Sequence, residues 1–393
     1  MKHFRNNLSA PVIFGSGVYL VTRLVHSLVA IVALMLYPLP PTAPQPTVHT
    51  WFEQWFLAPW YRWDAEWFLK IAREGYIIDD GRSGNYPLYP ALVRVVGDPL
   101  GHNYLLSGLI VSNLALWLAL ILLYILIKRH YGDAIARKSL IALALYPSFF
   151  FNLGYYAESL LLLFTVATFY ALETNRWGWA GIFSGLAVLA KLPGVILLAP
   201  IAWEFWQQRR RLFSRDVIAL AAIPVTIAGW TVVRHYLGPE ATTFDLSSPL
   251  SILSPILSPS YRQTYGAAVV FPWQGIWLGI QAVQSLWGQV MGLTVTFDMV
   301  MLVFFTLLLP FIARVKPTSY LIYTVGLYIM NLMLVVDIFP LVNFPRRMMM
   351  AFPAFIALAM LARYRWLKLV MVVTGGTLSL VMSAFFVWWL WIG

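Results

Sequence analysis

VIFGSGVYLVTRLVHSLVAIVALMLY, residues 12–37, is the stretch that decides the class of the fold. A bilayer crossing takes about 20 apolar residues, and this run exceeds that with Arg23 as its single fixed charge. Lys2 and Arg5 precede it. The run is too long for a signal-peptide core and has no small-residue cleavage site, so the expectation is a retained first membrane helix. Further apolar runs repeat the pattern at roughly 104–127, 138–153, 157–173, 178–191, 194–206, 217–237, 297–313, 318–336, 347–362 and 369–391, giving about eleven spans in all. The fifth and sixth are short and meet at Pro193-Gly194, as a helical hairpin or as one broken helix.

Composition agrees. The 393 residues are 60% hydrophobic and 11% charged, against about 25% charged in an ordinary globular chain. With no cysteine, disulfides, thiolate catalysis and Cys-ligated zinc are excluded. The net charge of +11 sits in short clusters between apolar runs: Lys128, Arg129, Arg137 and Lys138, then Arg176, then Arg209, Arg210, Arg211 and Arg215, then Arg314 and Lys316, then Arg363, Arg365 and Lys368. That is the positive-inside pattern, with the N-terminus inside, and it points to a bilayer, with no nucleic-acid partner. No internal repeat of the transporter kind is visible.

Two segments are long on the outer side, 38–103 and 238–296. The first opens with the Pro-rich YPLPPTAPQP (37–46), which regular helix does not accommodate. The second holds SSPLSILSPILSPS (247–260) and ends in the uncharged WQGIWLGIQAVQSLWGQVMG (273–292), suited to an interfacial or re-entrant helix. Long loops on a short-looped membrane body are where function concentrates.

In the first of them, YRWDAEWFLKIAREGY (61–76) crowds charge among rings. Read as a helix over 60–74 stopped by Gly75, it puts Trp60, Asp64, Trp67 and Ile71 on one face and Glu66, Lys70 and Arg73 on the other. Glu66 and Lys70 then form an i,i+4 pair on a solvated face. Asp64 lies on the aromatic face, where partial desolvation makes a carboxylate a stronger base. The plainer alternative is that Asp64 is a helix N-cap, without the Glu or Gln three residues on that a capping box would have.

Several blocks together resemble one family. RWDAEWFLKIAREGY (62–76), NYPLYPALVR (85–94), YYAESLLLLFTVATFYAL (155–172), SGLAVLAKLPGVIL (184–197) and FPRRMMMAFPAF (344–355) look like the ordered signature blocks of the GPI mannosyltransferase II (PIG-V) family. The first is specific and the others are individually weak. Lys191 stands where that family more often has Arg, and the shorter chain points to a bacterial homologue.

The resemblance implies a GT-C glycosyltransferase: an all-α polytopic membrane protein forming a single transmembrane domain over 1–393, with juxtamembrane helices in the first extracytoplasmic loop. It implies an inverting hexosyl transfer, mannosyl by expectation. The sugar would pass from a polyprenyl-phosphate donor to a hydroxyl on a glycan, lipid or protein acceptor, at the extracytoplasmic face of the cytoplasmic membrane. Asp64 would be the catalytic base.

Among the other residues, the substrate-binding candidates are Arg62, Glu66, Glu158, Lys191, Arg346 and Arg347. The adjacent arginines after Pro345 suit a lipid phosphate, or else snorkel to headgroups. Lys191 and Arg23 lie inside apolar runs, where charge is functional or paired, and Arg23 with His26 is expected to make an interhelical contact. Glu158 either serves substrate or favours the helix N-terminus. No obligatory metal is expected: His102 with Asp98, and Asp79-Asp80, lack ligand spacing, while a divalent ion on Asp64 and Glu66 would be compatible with a phosphate donor. The alternatives from other classes are a transporter or flippase, and a polymerase or ligase using a diphosphate-linked oligosaccharide.

Overall fold

Helix α1 (Ser9–Leu36) turns its small and polar residues inward. Gly15, Thr22, His26, Ser27, Ala30 and Ala33 are buried, while Ile13, Leu20, Val21, Leu24, Leu28 and Met35 are exposed. This inverts the amphipathicity of a water-soluble helix. In hydrocarbon a large apolar side chain costs nothing on the outside, and small residues let helix backbones approach closely. The computed structural model describes residues 9–40, 42–77, 80–208, 215–237, 266–337 and 339–390.

After α1 the chain forms α2 (Ala65–Glu74) and α3 (Leu88–Gly97) in the first loop, then the long α4 (Tyr104–Ala144). Helix α4 is two spans joined at Gly132, whose φ of 74° and ψ of 178° no helix contains. The break falls in the basic segment expected to turn, and Arg137 Nε reaches back to Tyr124 Oη at 3.3 Å. Next come α5 (Glu158–Glu173), α6 (Trp177–Ala190), α7 (Leu198–Gln207) and α8 (Ile218–Leu237). The C-terminal part holds α9 (Pro272–Ser285), α10 (Val290–Ile312), α11 (Thr318–Met333), α12 (Phe344–Met348), α13 (Phe352–Leu361) and α14 (Arg365–Val387).

Among the described residues α1, α4, α8, α10 and α14 are individually long and apolar enough to cross a membrane. Helices α6 and α13 are apolar and shorter, and α5 and α11 are continuous helices of 16 residues each. Between α6 and α7, Lys191 is extended and 192–197 is a tight 3-10 turn. A Cβ on Gly194 would lie 2.4 Å from the Ala187 carbonyl carbon, so the chain folds back on the last turn of α6 in the manner of a hairpin.

The core gathers around α5 and α13, which are almost wholly buried. Phe169 of α5 meets Tyr320, Tyr323 and Phe352 edge-on, with ring centroids 5.2–5.5 Å apart.

Three expectations change. The helix read over 60–74 begins at Ala65, because Ala58–Trp60 is a 3-10 turn containing Pro59 and Trp63 takes a left-handed φ of 52°. Trp60 therefore belongs to the turn before α2, where it is fully buried. Helix α10 begins at Val290 and so absorbs the end of the segment read as interfacial. The rest of that segment is α9, with Gly275, Gly279 and Ala282 buried and Trp273 and Trp277 exposed. The run read to 336 stops at Met333, where 334–335 pairs antiparallel with 268–269. The segment 247–260, Asp79 and Arg209–Arg211 lie outside the described residues.

Candidate active site

The turn that presents Asp64 is built from its neighbours. Arg62 is buried (1% exposed) and donates to the carbonyls of Ala58, Tyr61 and Val387 at 2.6, 2.7 and 2.9 Å. Burial lowers its guanidinium to about 10, so it stays charged at neutral pH. Its own carbonyl accepts from Tyr156 Oη at 2.5 Å. Trp63 then adopts its left-handed conformation, costly by about 1–2 kcal/mol for a residue with a Cβ, and packs edge-on to Trp389 at 5.2 Å. The chain so bent delivers Asp64 to the N-cap position of α2.

Asp64 does not cap. Its side chain makes no hydrogen bond to the first turn of α2; Oδ2 instead receives Arg346 Nη1 at 3.2 Å. Arg346 Nε donates to Glu158 Oε1, and Lys191 Nζ donates to that same oxygen. Four side chains from four regions far apart in sequence thus form one network: Asp64, Glu158, Lys191 and Arg346.

Exposure falls steeply along this network. Asp64 is 41% exposed and Lys191 27%, whereas Arg346 and Glu158 are 3% and 2%. The expectation of an Asp64 shielded among rings is corrected: it stands at the open mouth, and the aromatic packing surrounds Arg346. That guanidinium lies over Phe151 at 4.3 Å and Tyr156 at 4.6 Å. Glu158 Oε2 and Arg346 Nη2 are buried without a hydrogen-bond partner among the described residues. Removing one member of such a buried pair typically costs about 3–5 kcal/mol, because the other charge is stranded.

The remaining sequence candidates lie elsewhere. Arg62 does not face the network; its Nε and Nη1 are committed to main-chain carbonyls, so its place is structural. Glu66 pairs with Lys70 at 2.7 Å on a half-exposed face, apart from the Asp64 network. Arg347 turns away from its neighbour Arg346 and donates to Asn331 Oδ1 at 3.4 Å. Arg23 donates to the carbonyls of Leu153 and Phe56 and lies 4.9 Å from the Trp60 ring, tying α1 to the first loop. His26 is buried, 3.5 Å from Ser379 Oγ of α14.

Asp98 pairs locally with His102 at 3.3 Å, and Asp80 with Arg82 at 2.5 Å. Among the described residues no three His, Asp or Glu side chains converge as a metal site would require. Sequence reasoning missed Trp63, Tyr156, Asn343 and Asp298. Asn343 has φ 64° and its Oδ1 lies 3.4 Å from Arg346 Nη1. The one signal available was Asp298, a lone acid within an apolar run.

Comparison with known proteins decides the family. The profile of a family described as mannosyltransferase (PIG-V) matches residues 11–222, more than half of the chain. The chain belongs to this PIG-V family. The match takes in Asp64, Glu158 and Lys191; Arg346 lies beyond it, and the fold brings it to them. Membership makes this protein a glycosyltransferase, and its apolar helices make it a multi-pass membrane protein.

Curated proteins give no significant match by sequence. Among solved structures, ArnT from Cupriavidus metallidurans bound to undecaprenyl phosphate aligns over 95% of this chain and 77% of its own, at 13% identity and a TM-score of 0.49. The Archaeoglobus fulgidus oligosaccharyltransferase tethered to an acceptor peptide aligns over 95% of this chain and 56% of its own, at 11% identity and a TM-score of 0.44. This PIG-V protein thus spans about half the length of that enzyme.

Proposed function

We propose that the protein is an inverting GT-C mannosyltransferase that moves a mannosyl residue from a polyprenyl-phosphate donor to a hydroxyl acceptor at the extracytoplasmic membrane face. The observation that carries this reading is the half-exposed carboxylate of Asp64 beside the buried guanidinium of Arg346, with Lys191 on the same anionic anchor.

The chemistry follows from that arrangement. Inverting transfer needs a base for the acceptor hydroxyl while the anomeric carbon is displaced from the opposite face. Asp64, at the open end, takes the acceptor proton; the acceptor oxygen bonds the anomeric carbon; the bond to the phosphate oxygen breaks, and the electron pair leaves with the phosphate. That leaving group is already a good anion and requires positive charge more than a proton. Lys191 and Arg346 supply it, Arg346 from a buried position, where such stabilisation is largest. Glu158 keeps both cations in place.

The test is transfer of labelled mannose from polyprenyl-phosphate mannose to a panel of hydroxyl acceptors by purified protein in detergent, where no gradient exists for a transporter. Wild type is expected to transfer. Asp64→Asn is expected to lose at least about 10²-fold in kcat, the lower bound for removing a positioned general base. Full transfer by a folded Asp64→Asn protein overturns the assignment of the base; absence of transfer from polyprenyl-phosphate mannose overturns the donor.

A further inference from the structure

Arg346 and Arg347 are adjacent, yet they turn to different helices. Arg346 faces Glu158 and Asp64, whereas Arg347 donates to Asn331 of α11, and α12 packs on α10, the helix of Asp298. Asp298 is the one acidic residue of α10, which has no basic one, and it is 1% exposed. An acid within an apolar membrane helix faces the bundle interior and is functional or paired by default. Here α10 packs directly on the five-residue helix α12 that carries Arg346, Arg347 of α12 is the nearby positive charge, and Asp298 Oδ1 is buried with no hydrogen-bond partner among the described residues.

Other contacts close on the same short segment. Tyr146 Oη donates to the Pro345 carbonyl at 2.8 Å. Asn343, just before α12, is left-handed and holds its Oδ1 3.4 Å from Arg346 Nη1. Residues 343–347 are therefore gripped by α10, α11 and the end of α4's extension at Tyr146, and none of those gripping groups belongs to the Asp64 network.

We infer that Asp298 and Tyr146 are positioning residues: they hold the Asn343–Arg347 turn in the one orientation that presents Arg346 to Glu158 and Asp64. The functional side of this inference rests on the reading of Arg346 as a phosphate-binding residue. The structural side does not, because it concerns only whether the two networks are mechanically joined. A helix of five residues has too few internal hydrogen bonds to fix its own orientation, so its direction must come from outside it.

Two measurements test this. The first is a stability cycle in detergent with Asp298→Asn, Glu158→Gln and the double variant. If Asp298 acts through the Arg346–Glu158 contact, the double variant melts close to the worse single variant, since coupled sites are non-additive. Asp133→Asn, which disturbs the bonds that Asp133 accepts from Tyr124 and Arg137 at the α4 turn, should add in full to Glu158→Gln as the control. Full additivity of Asp298→Asn with Glu158→Gln overturns the inference. Where Asp298→Asn does not fold, Tyr146→Phe takes its place in the cycle with the same criterion.

The second measurement uses polyprenyl-phosphate mannose. Tyr146→Phe and Asp298→Asn are expected to raise the donor KM about 10-fold or lower kcat correspondingly, with acceptor KM unchanged. In an Arg346→Lys background the same substitutions should then have little further effect. Equal fold-losses in both backgrounds, or a parallel rise in acceptor KM, overturn the positioning role. A wild-type protein that transfers nothing sinks the donor reading alone, and the melting cycle still decides the mechanical coupling.

Discussion

Under the proposed function Asp64 has two incompatible tasks, and the geometry displays one of them. Its Oδ2 is 3.2 Å from Arg346 Nη1, which makes it a counterion; as a base it must let go of that cation and meet an acceptor hydroxyl. A donor phosphate entering beside Arg346 offers the guanidinium a replacement anion. It follows that Asp64→Asn, expected to lose transfer, should bind polyprenyl phosphate at least as tightly as wild type, because a competing carboxylate has been removed. Equilibrium binding of polyprenyl monophosphate to the two proteins checks this, and weaker binding by the Asn variant contradicts it. Arg346→Lys should show the opposite profile. A lysine cannot reach Glu158 and Asp64 with separate nitrogens of one planar fork, so both binding and turnover should fall, the latter by about 10²-fold.

At the same scale, the sequence disclosed the type of residue more readily than its direction. Arg62, Asp64 and Glu66 lie within five positions, and composition alone treats them alike. Local backbone separates them: a left-handed Trp63 sends Asp64 toward Arg346, while Arg62 is drawn under Val387 of α14. Both outcomes depend on chain segments more than 280 residues away, and no periodicity within 61–76 encodes them.

Among the elements, the stretch from Glu53 to Trp60 shows how a loop acquires rigidity without regular helix. Glu53 accepts from the His49 N–H at 2.7 Å and from Asn103 Nδ2 at 2.6 Å, and so pins the loop to the N-cap of α4. The His49 backbone bond is the main reason its carboxyl sits below the usual range. A depressed folded value means that this stabilisation is complete above the unfolded value of about 4.3 and disappears as pH falls through the folded one. Glu53→Gln should therefore melt below wild type at pH 7, with the gap closing on acidification below about pH 4. Thermal melts at the two pH values decide it; a gap that persists unchanged in acid means the charge is irrelevant there.

The α4 turn was easier to foresee than the α2 start. Its basic cluster marked a reversal, and a glycine was present to accept φ 74°. At α2 the aromatic residue Trp63 occupies a conformation that its type disfavours, and only the packing of Trp389 and the anchoring of Arg62 compensate. Tertiary contact overrode local preference at the position from which the site is built.

For the molecule as a whole, the membrane class was written into the apolar runs, and the inverted face of α1 gives the physical reason. What the runs could not convey was which of their few charges meet. Glu158, Lys191 and Arg346 come from the N-terminus of α5, the break after α6, and α12, and their convergence depends on the order in which short, interrupted helices pack around α5 and α13. Asp298 escaped notice for the related reason that a single acid in an apolar run has no visible partner until α12 is folded against it.

The network of two carboxylates and two cations has a consequence for valence. As it stands its formal charges cancel, and when Asp64 turns to the acceptor the remaining three leave a surplus of one positive charge. A sugar linked through a single phosphate brings one negative charge and balances that surplus; a diphosphate-linked sugar brings two and leaves one uncompensated where solvent is largely excluded, a costly place for it. The pocket should therefore discriminate by ionic valence before it discriminates by sugar. In competition against polyprenyl-phosphate mannose, polyprenyl monophosphate esters should inhibit more strongly than diphosphate esters of the same chain length, and the reverse order would indicate a cation that these four residues do not supply.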